Sequence, residues 1–192
     1  PFEQSPVMVE TASGVLNVTP RMKKDQLVGA RVKMGTPEFR ATEIPVNLPD
    51  KTTVIDHPIK VLGYEFKINC VSMGNAHAVA FVDENVDQIP LDTIGQIVEN
   101  LPIFPKRVNF EIVNVHDPSN VSARVWERGS GLTMACGTGA CAIVAAGQLK
   151  GLTGNNVNVR LPGGELKITW PGHGNVIMEG PVQEVYEGEW HP

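Results

Sequence analysis

The sequence predicts an α/β fold of the α+β kind, in which a mixed or antiparallel sheet wraps around a central apolar helix. Three observations carry the prediction. β-rich runs recur along the whole chain with turn residues between them. Only two segments have helical character, and one of these is apolar on nearly every face with small side chains, so that it needs sheet around it.

Taken in order, the predicted strands are Val7–Glu10, Val15–Thr19, Leu27–Met34, Val61–Met73, Ala78–Val82, Val108–Val115, Val121–Glu127, Val157–Leu161, Glu165–Trp170, Val176–Glu179 and Val182–Tyr186. Ser13-Gly14, His116 to Asn120 and Pro162-Gly163-Gly164 supply hairpin turns. The first helix is predicted over Leu91–Asn100 from the spacing of Leu91, Ile94, Ile97 and Val98, an amphipathic pattern suited to a surface position. The second runs from about Thr138 to Leu149 through Ala140-Cys141-Ala142-Ile143-Val144-Ala145-Ala146. Residues Thr36–Asp56, broken by Pro37, Pro45 and Pro49, read as a linker or inter-domain crossing.

At 192 residues and 42% hydrophobic, the chain can bury one substantial core or two small ones. The net charge of −5 is spread over interspersed acids and bases, with no lysine/arginine block to grip nucleic acid. No apolar run reaches the roughly 20 residues that cross a bilayer, and the expected location is the cytoplasm. Three cysteines, Cys70, Cys136 and Cys141, are too few and too odd for a disulfide framework.

The most informative run is Arg128-Gly129-Ser130-Gly131-Leu132-Thr133-Met134-Ala135-Cys136-Gly137-Thr138-Gly139-Ala140-Cys141-Ala142, a glycine-rich loop feeding the apolar helix. Unpaired N–H groups at a helix start hold anions and stabilise a thiolate, so Cys136 is placed to be a reactive thiol of lowered pKa. Competing readings of this run are weaker. Gly137-Thr138-Gly139-Ala140-Cys141-Ala142 fits a dinucleotide pattern, but no acid follows at about 20 residues to hold a ribose. A metal at Cys136 and Cys141 lacks a second pair of ligands, and no metal or cofactor is expected. Cys70, in a strand, and Cys141, inside the helix, read as small buried apolar residues.

Glu127-Arg128-Gly129-x-Gly131, followed by Ala135-Cys136-Gly137-Thr138-Gly139-Ala140-Cys141-Ala142, closely resembles the second-half signature of the diaminopimelate epimerases. Three more segments, in the right order, are similar to runs of that family: Ser72-Met73-Gly74-Asn75-Ala76-His77, Phe104-Pro105-Lys106-Arg107-Val108-Asn109 and Leu161-Pro162-Gly163-Gly164-Glu165-Leu166. The resemblance implies two similar domains, each a sheet around a helix, with the active site between them. Residues 1–36 would be the end of a first domain, 37–181 the second domain, and 182–192 a tail returning to the first.

It also implies a chemistry: interconversion of LL- and meso-2,6-diaminopimelate without a cofactor, on the route to lysine and peptidoglycan precursors. Two cysteines act on opposite faces of the α-carbon, one as base and one as acid. Cys136 matches one of them. Nothing in these residues resembles the run that carries the other, so the chain is expected to lack an N-terminal segment of the same protein and to be incomplete alone. By the resemblance, Asn75 and Asn109 hydrogen-bond the substrate's polar ends, Glu127 accepts from its ammonium group and takes part in catalysis, and Arg128 pairs with a carboxylate. The N–H groups of Gly137 and Thr138 hold the α-carboxylate, and His77 assists proton transfer.

The plainer alternatives are turn asparagines for Asn75 and Asn109, a solvated ion pair for Glu127-Arg128, and a structural histidine for His77. Leu132 departs from the family's usual glutamate and Ala76 from its usual proline. Two other functions share parts of the pattern, a proline or hydroxyproline racemase and a non-catalytic amino-acid-binding half. A homodimer is a further expectation; membranes and nucleic acids are not expected partners.

Overall fold

The structure is a computed structural model that describes residues 6–11, 14–183, 185, 186, 188 and 189. Twelve strands and two helices follow one another: β1 (Val7–Thr11), β2 (Gly14–Lys23), β3 (Gln26–Lys33), β4 (His57–Val61), β5 (Tyr64–Ser72), β6 (Ala76–Phe81), α1 (Leu91–Glu99), β7 (Asn109–Asp117), β8 (Asn120–Glu127), β9 (Gly131–Thr133), α2 (Gly137–Leu149), β10 (Asn156–Leu161), β11 (Gly164–Thr169) and β12 (Ile177–Pro181). The strands form one sheet in the order β1-β2-β3-β12-β11-β10-β8-β7-β6-β5-β4, with β9 added beside β8. Pairing is antiparallel except between β6 and β7 and between β8 and β10, so the sheet is mixed.

Most predicted elements are present, with three differences. The run from Val61 to Met73 is the end of one strand and the whole of the next: Leu62 and Gly63 both have positive φ, 49° and 86°, and turn the chain into a two-residue hairpin. Leu62 is an apolar residue in a glycine conformation, which hides the turn from the sequence. The short strand β9 was not predicted, and it pairs Thr133, Leu132 and Gly131 with Val125, Trp126 and Glu127. The strand predicted at Val182–Tyr186 is absent at Val182, Gln183, Val185 and Tyr186, because pairing with β3 runs out at Pro181 opposite Gly29; Glu184 lies outside the described residues. The hairpin at Ser13-Gly14 joins β1 to β2 through the pair Thr11 and Gly14, with Ser13 itself outside the described residues.

The segment read as a linker is folded onto the sheet. Ala41, Ile44, Val46 and Val54 are buried, Glu38 bridges to Ser72, and Asp56 meets Lys150 at 2.5 Å. Its prolines break regular structure, Pro37 buried and Pro49 exposed, while those apolar side chains anchor the segment.

Alternation along the central strands divides the interior in two. Ile68, Cys70, Ala78, Ala80, Phe110 and Ile112 face Leu91, Ile94 and Val98 of α1. Val71, Val79, Val113, Val121, Ala123 and Val125 face α2 together with Val157, Val159 and Ile168. Every residue of α2 from Gly139 to Gly147 is buried, as its all-apolar surface requires. Small residues let it sit close: a Cβ at Gly147 would lie 2.7 Å from Thr153 Oγ1. α1 is amphipathic, with Leu91, Ile94 and Val98 inside and Ile97 partly exposed. No helix among the described residues is long and apolar enough to cross a membrane.

Candidate active site

The start of β6, the start of β7, the end of β8 and the N-terminus of α2 meet at one end of the sheet. β6 and β7 are parallel, so His77 pairs with Asn109, and antiparallel β8 returns Glu127 to the same end. The loop 128–136, pinned by β9, then delivers Cys136 as the N-cap of α2. Sequence positions far apart thus become neighbours because of strand direction.

Cys136 has extended backbone, φ −137° and ψ 112°, and its Sγ accepts the N–H of Gly139 at 3.3 Å. This is the role a serine or aspartate usually plays at a helix start, filled by sulfur. Thr138 Oγ1 lies 3.5 Å from the same sulfur. Gly137 and Thr138 occupy the first turn, where helix geometry leaves N–H groups without intrahelical acceptors. Gly139 leaves little room for a side chain, since a Cβ there would fall 3.0 Å from Glu111 Oε1 and 3.3 Å from Cys136 Sγ and would press on both.

The thiol differs from the sequence expectation in one respect. Cys136 is only 7% exposed, and burial, helped by Glu111 and Glu127, raises its pKa to about 11 against the downward pull of the Thr138 and Gly139 hydrogen bonds. The helix terminus is therefore outweighed by desolvation and neighbouring carboxyls. Burial also pushes up the thiols of Cys70 and Cys141, which lie inside the two cores as expected.

The remaining residues form a connected set. Asn75 Nδ2 donates to Thr138 Oγ1 at 3.3 Å, and Asn75 Oδ1 lies 3.0 Å from His77 Nε2. Asn109 Nδ2 donates to Ala76 O at 2.8 Å, while Asn109 Oδ1 accepts the Arg128 N–H at 2.8 Å, tying β7 to both the Asn75 segment and the loop. Glu127 accepts from Thr133 Oγ1 at 2.6 Å. Glu127 and Arg128 are half-buried and do not pair with each other; the Arg128 guanidinium donates to Lys106 O at 3.1 Å. His77 is fully buried.

Two carboxyls of this region escaped the sequence reading. Glu111 is fully buried, with Oε1 at 2.7 Å from His77 Nδ1, and burial raises its pKa against the opposing pull of His77. Glu99, 4% exposed, accepts from Trp126 Nε1 at 2.7 Å, Gly129 N at 3.0 Å and Arg107 Nη1 at 3.1 Å, clamping α1 to the loop. The available signal for Glu111 was a lone acid in the otherwise apolar run Phe110-Glu111-Ile112-Val113, on the face turned to α2. A groove of about 820 Å³ lined by Phe81, Asn114, Ser122 and Arg160 involves none of these residues.

The family described as diaminopimelate epimerase matches residues 69–185. A diaminopimelate epimerase of Acetivibrio thermocellus is 47% identical over 186 residues, covering 95% of this chain and 65% of the relative. One of Halothermothrix orenii is 45% identical over 185 residues, covering 94% of this chain and 63% of the relative. The chain thus spans a little under two thirds of the length of these relatives. In structure it is similar to a hydroxyproline epimerase of Agrobacterium vitis, with TM-score 0.69 and 16% identity over 93% of this chain and 57% of that one. It is also similar to a PhzF-family phenazine biosynthesis protein of Bacillus anthracis, with TM-score 0.58 and 14% identity over 92% of this chain and 66% of that one. At such identities the likeness is one of fold.

Proposed function

Since the chain belongs to the diaminopimelate epimerase family, we propose that it forms one half of the active site of an amino-acid epimerase interconverting LL- and meso-2,6-diaminopimelate. The observation that carries the reading is the seat of Cys136: a thiol at the N-cap of an apolar helix, beside two first-turn N–H groups.

In this reading Gly137 and Thr138 N–H groups hold the α-carboxylate and stabilise the charge that grows on it as the α-carbon loses its proton. Cys136 takes that proton as thiolate on one face, or delivers one as thiol in the reverse direction. Asn75 and Asn109 orient the polar ends of the substrate, Glu127 receives its ammonium group, and Arg128 exchanges its bond to Lys106 O for a substrate carboxylate. No metal or cofactor takes part. Cys70 and Cys141 are sealed in the cores, so the thiol for the opposite face belongs to a further segment of the same protein, and the work is done in the cytoplasm with other steps of amino-acid synthesis.

The test is deuterium incorporation from D₂O at the α-carbon of diaminopimelate, followed by mass spectrometry in the protein and in Cys136→Ala. Exchange that depends on Cys136 supports the reading. Undiminished exchange in the variant, or faster exchange into proline or hydroxyproline than into diaminopimelate, refutes it.

A further inference from the structure

Glu111 is an anomaly in energetic terms. Its carboxyl is fully buried, one oxygen meets His77 Nδ1, and the other, Oε2, has no partner among the described residues. An anionic oxygen left bare in the interior is far more costly than a carbonyl-like one. On the other side of the ring, Asn75 presents Oδ1, an acceptor, to His77 Nε2. Nε2 must therefore carry a proton, and Nδ1 then either accepts from a protonated Glu111 or donates to an ionised one. Both arrangements place two protons on the pair and leave it neutral.

The direction of every following bond is then determined. His77 Nε2–H donates to Asn75 Oδ1; the same amide donates through Nδ2 to Thr138 Oγ1; the hydroxyl, its lone pair engaged, has its own proton free for Cys136 Sγ at 3.5 Å. With Gly139 N–H, the sulfur faces two donors. We propose that Glu111 is a positioning residue, which acts through His77, Asn75 and Thr138 to aim a hydroxyl proton at Cys136 Sγ. Had the pair held a single proton, with Glu111 anionic and Nδ1–H its donor, the chain would run backwards and the thiol would become donor to Thr138. The charged and titratable groups facing this relay are His77 from β6, Cys70 from β5, Glu127 from β8, and Cys136 and Cys141 from α2 and its cap.

The inference rests on Cys136 being the working thiol of the proposed function, but its test reads the ring and the sulfur directly, so either idea can fail alone. Nitrogen-15 NMR of the His77 ring in the unaltered protein is expected to show Nε2 protonated at neutral pH; a bare Nε2 overturns the proposal. Carbamidomethylation of Cys136 against pH, read on its peptide by mass spectrometry, supplies the second arm. Glu111→Gln leaves the pair with His77 neutral in either arrangement and keeps the midpoint within about 0.3 pH unit, whereas removal of a net negative charge from that pair would lower it by about one unit or more and overturn the proposal. Thr138→Val and Glu111→Leu, which remove the donor or its anchor, raise the midpoint by about one unit. An unchanged midpoint in either folded variant refutes the relay, and the ring measurement decides if Glu111→Leu does not fold.

Discussion

Substituting Gly95 by alanine sets two effects against each other. Within α1, alanine is favoured over glycine by about 1 kcal/mol, so a free-standing surface helix would be stabilised. In the structure a Cβ at Gly95 would fall 2.4 Å from Trp126 Cγ, 2.5 Å from its Cβ and 2.6 Å from its Cδ2. These are the root of the indole, not a movable tip, and the ring is held at its far side by Glu99. Ordinary contact requires the helix and β8 to part by about 1 Å. Overpacking of that kind costs about 1–3 kcal/mol, and strain on the bond to the Glu99 carboxylate adds about 1–2 kcal/mol. The net expectation for Gly95→Ala is destabilisation by about 1–4 kcal/mol. Urea unfolding followed by tryptophan fluorescence reads this as a midpoint lowered by about 0.3–2 M, for a slope of about 2–3 kcal/mol/M. Because Trp126 precedes Glu127 and Arg128, α-proton exchange should fall as well. A midpoint equal to or above that of the unaltered protein would refute the reasoning.

Other outcomes follow from the same geometry. Glu99→Ala leaves the Trp126 and Gly129 donors bare and should lower the melting temperature by about 6–12 °C, for a loss of about 3 kcal/mol in a chain of this size; calorimetry measures it. Carbamidomethylation of Cys136 should accelerate about tenfold per pH unit up to its pKa of about 11, with Cys70 and Cys141 unlabelled in the folded protein. Stability should fall as pH rises past about 9, because the unfolded thiols ionise there while the folded ones stay protonated; each contributes a slope of up to about 1.4 kcal/mol per pH unit. Urea midpoints at pH 8 and 10 check the sign, and a flat response would contradict the burial of these thiols. Leu132, 44% exposed on β9, should accept glutamate with a change within about 0.5 kcal/mol, so any effect of Leu132→Glu on exchange reports the site and not the fold.

Much of this was legible in the chain. The all-apolar helix announces its own burial, and Cys136 at the end of a glycine-rich loop announces a helix start. Asn75, His77, Asn109 and the Glu127-Arg128 pair could be named from their motifs. Their connection could not, because it depends on β6 and β7 running parallel, and strand direction leaves no trace in a residue pattern. The pKa of Cys136 was misjudged for a similar reason: the helix terminus is local, whereas desolvation is summed over the whole fold. Glu111 and Glu99 looked like ordinary charged residues, since only tertiary packing reveals that a carboxyl is sealed from water. Leu62 shows the reverse failure, a residue with every strand preference placed in a turn by its neighbours.

The seam between β3 and β12 has a consequence for synthesis. Gly29 pairs with Pro181 and Lys33 with Ile177, so the N-terminal hairpins leave the ribosome long before the strand that completes them. At about 5–20 residues per second, β3 waits about 7–30 s with an unpaired edge. Arg31 and Lys33 stand on that edge, and their charge discourages other extended chains from adding to it in the interval. When β12 arrives, Glu179 comes within 3.8 Å of Arg31, and the charge that guarded the open edge helps to register its closing.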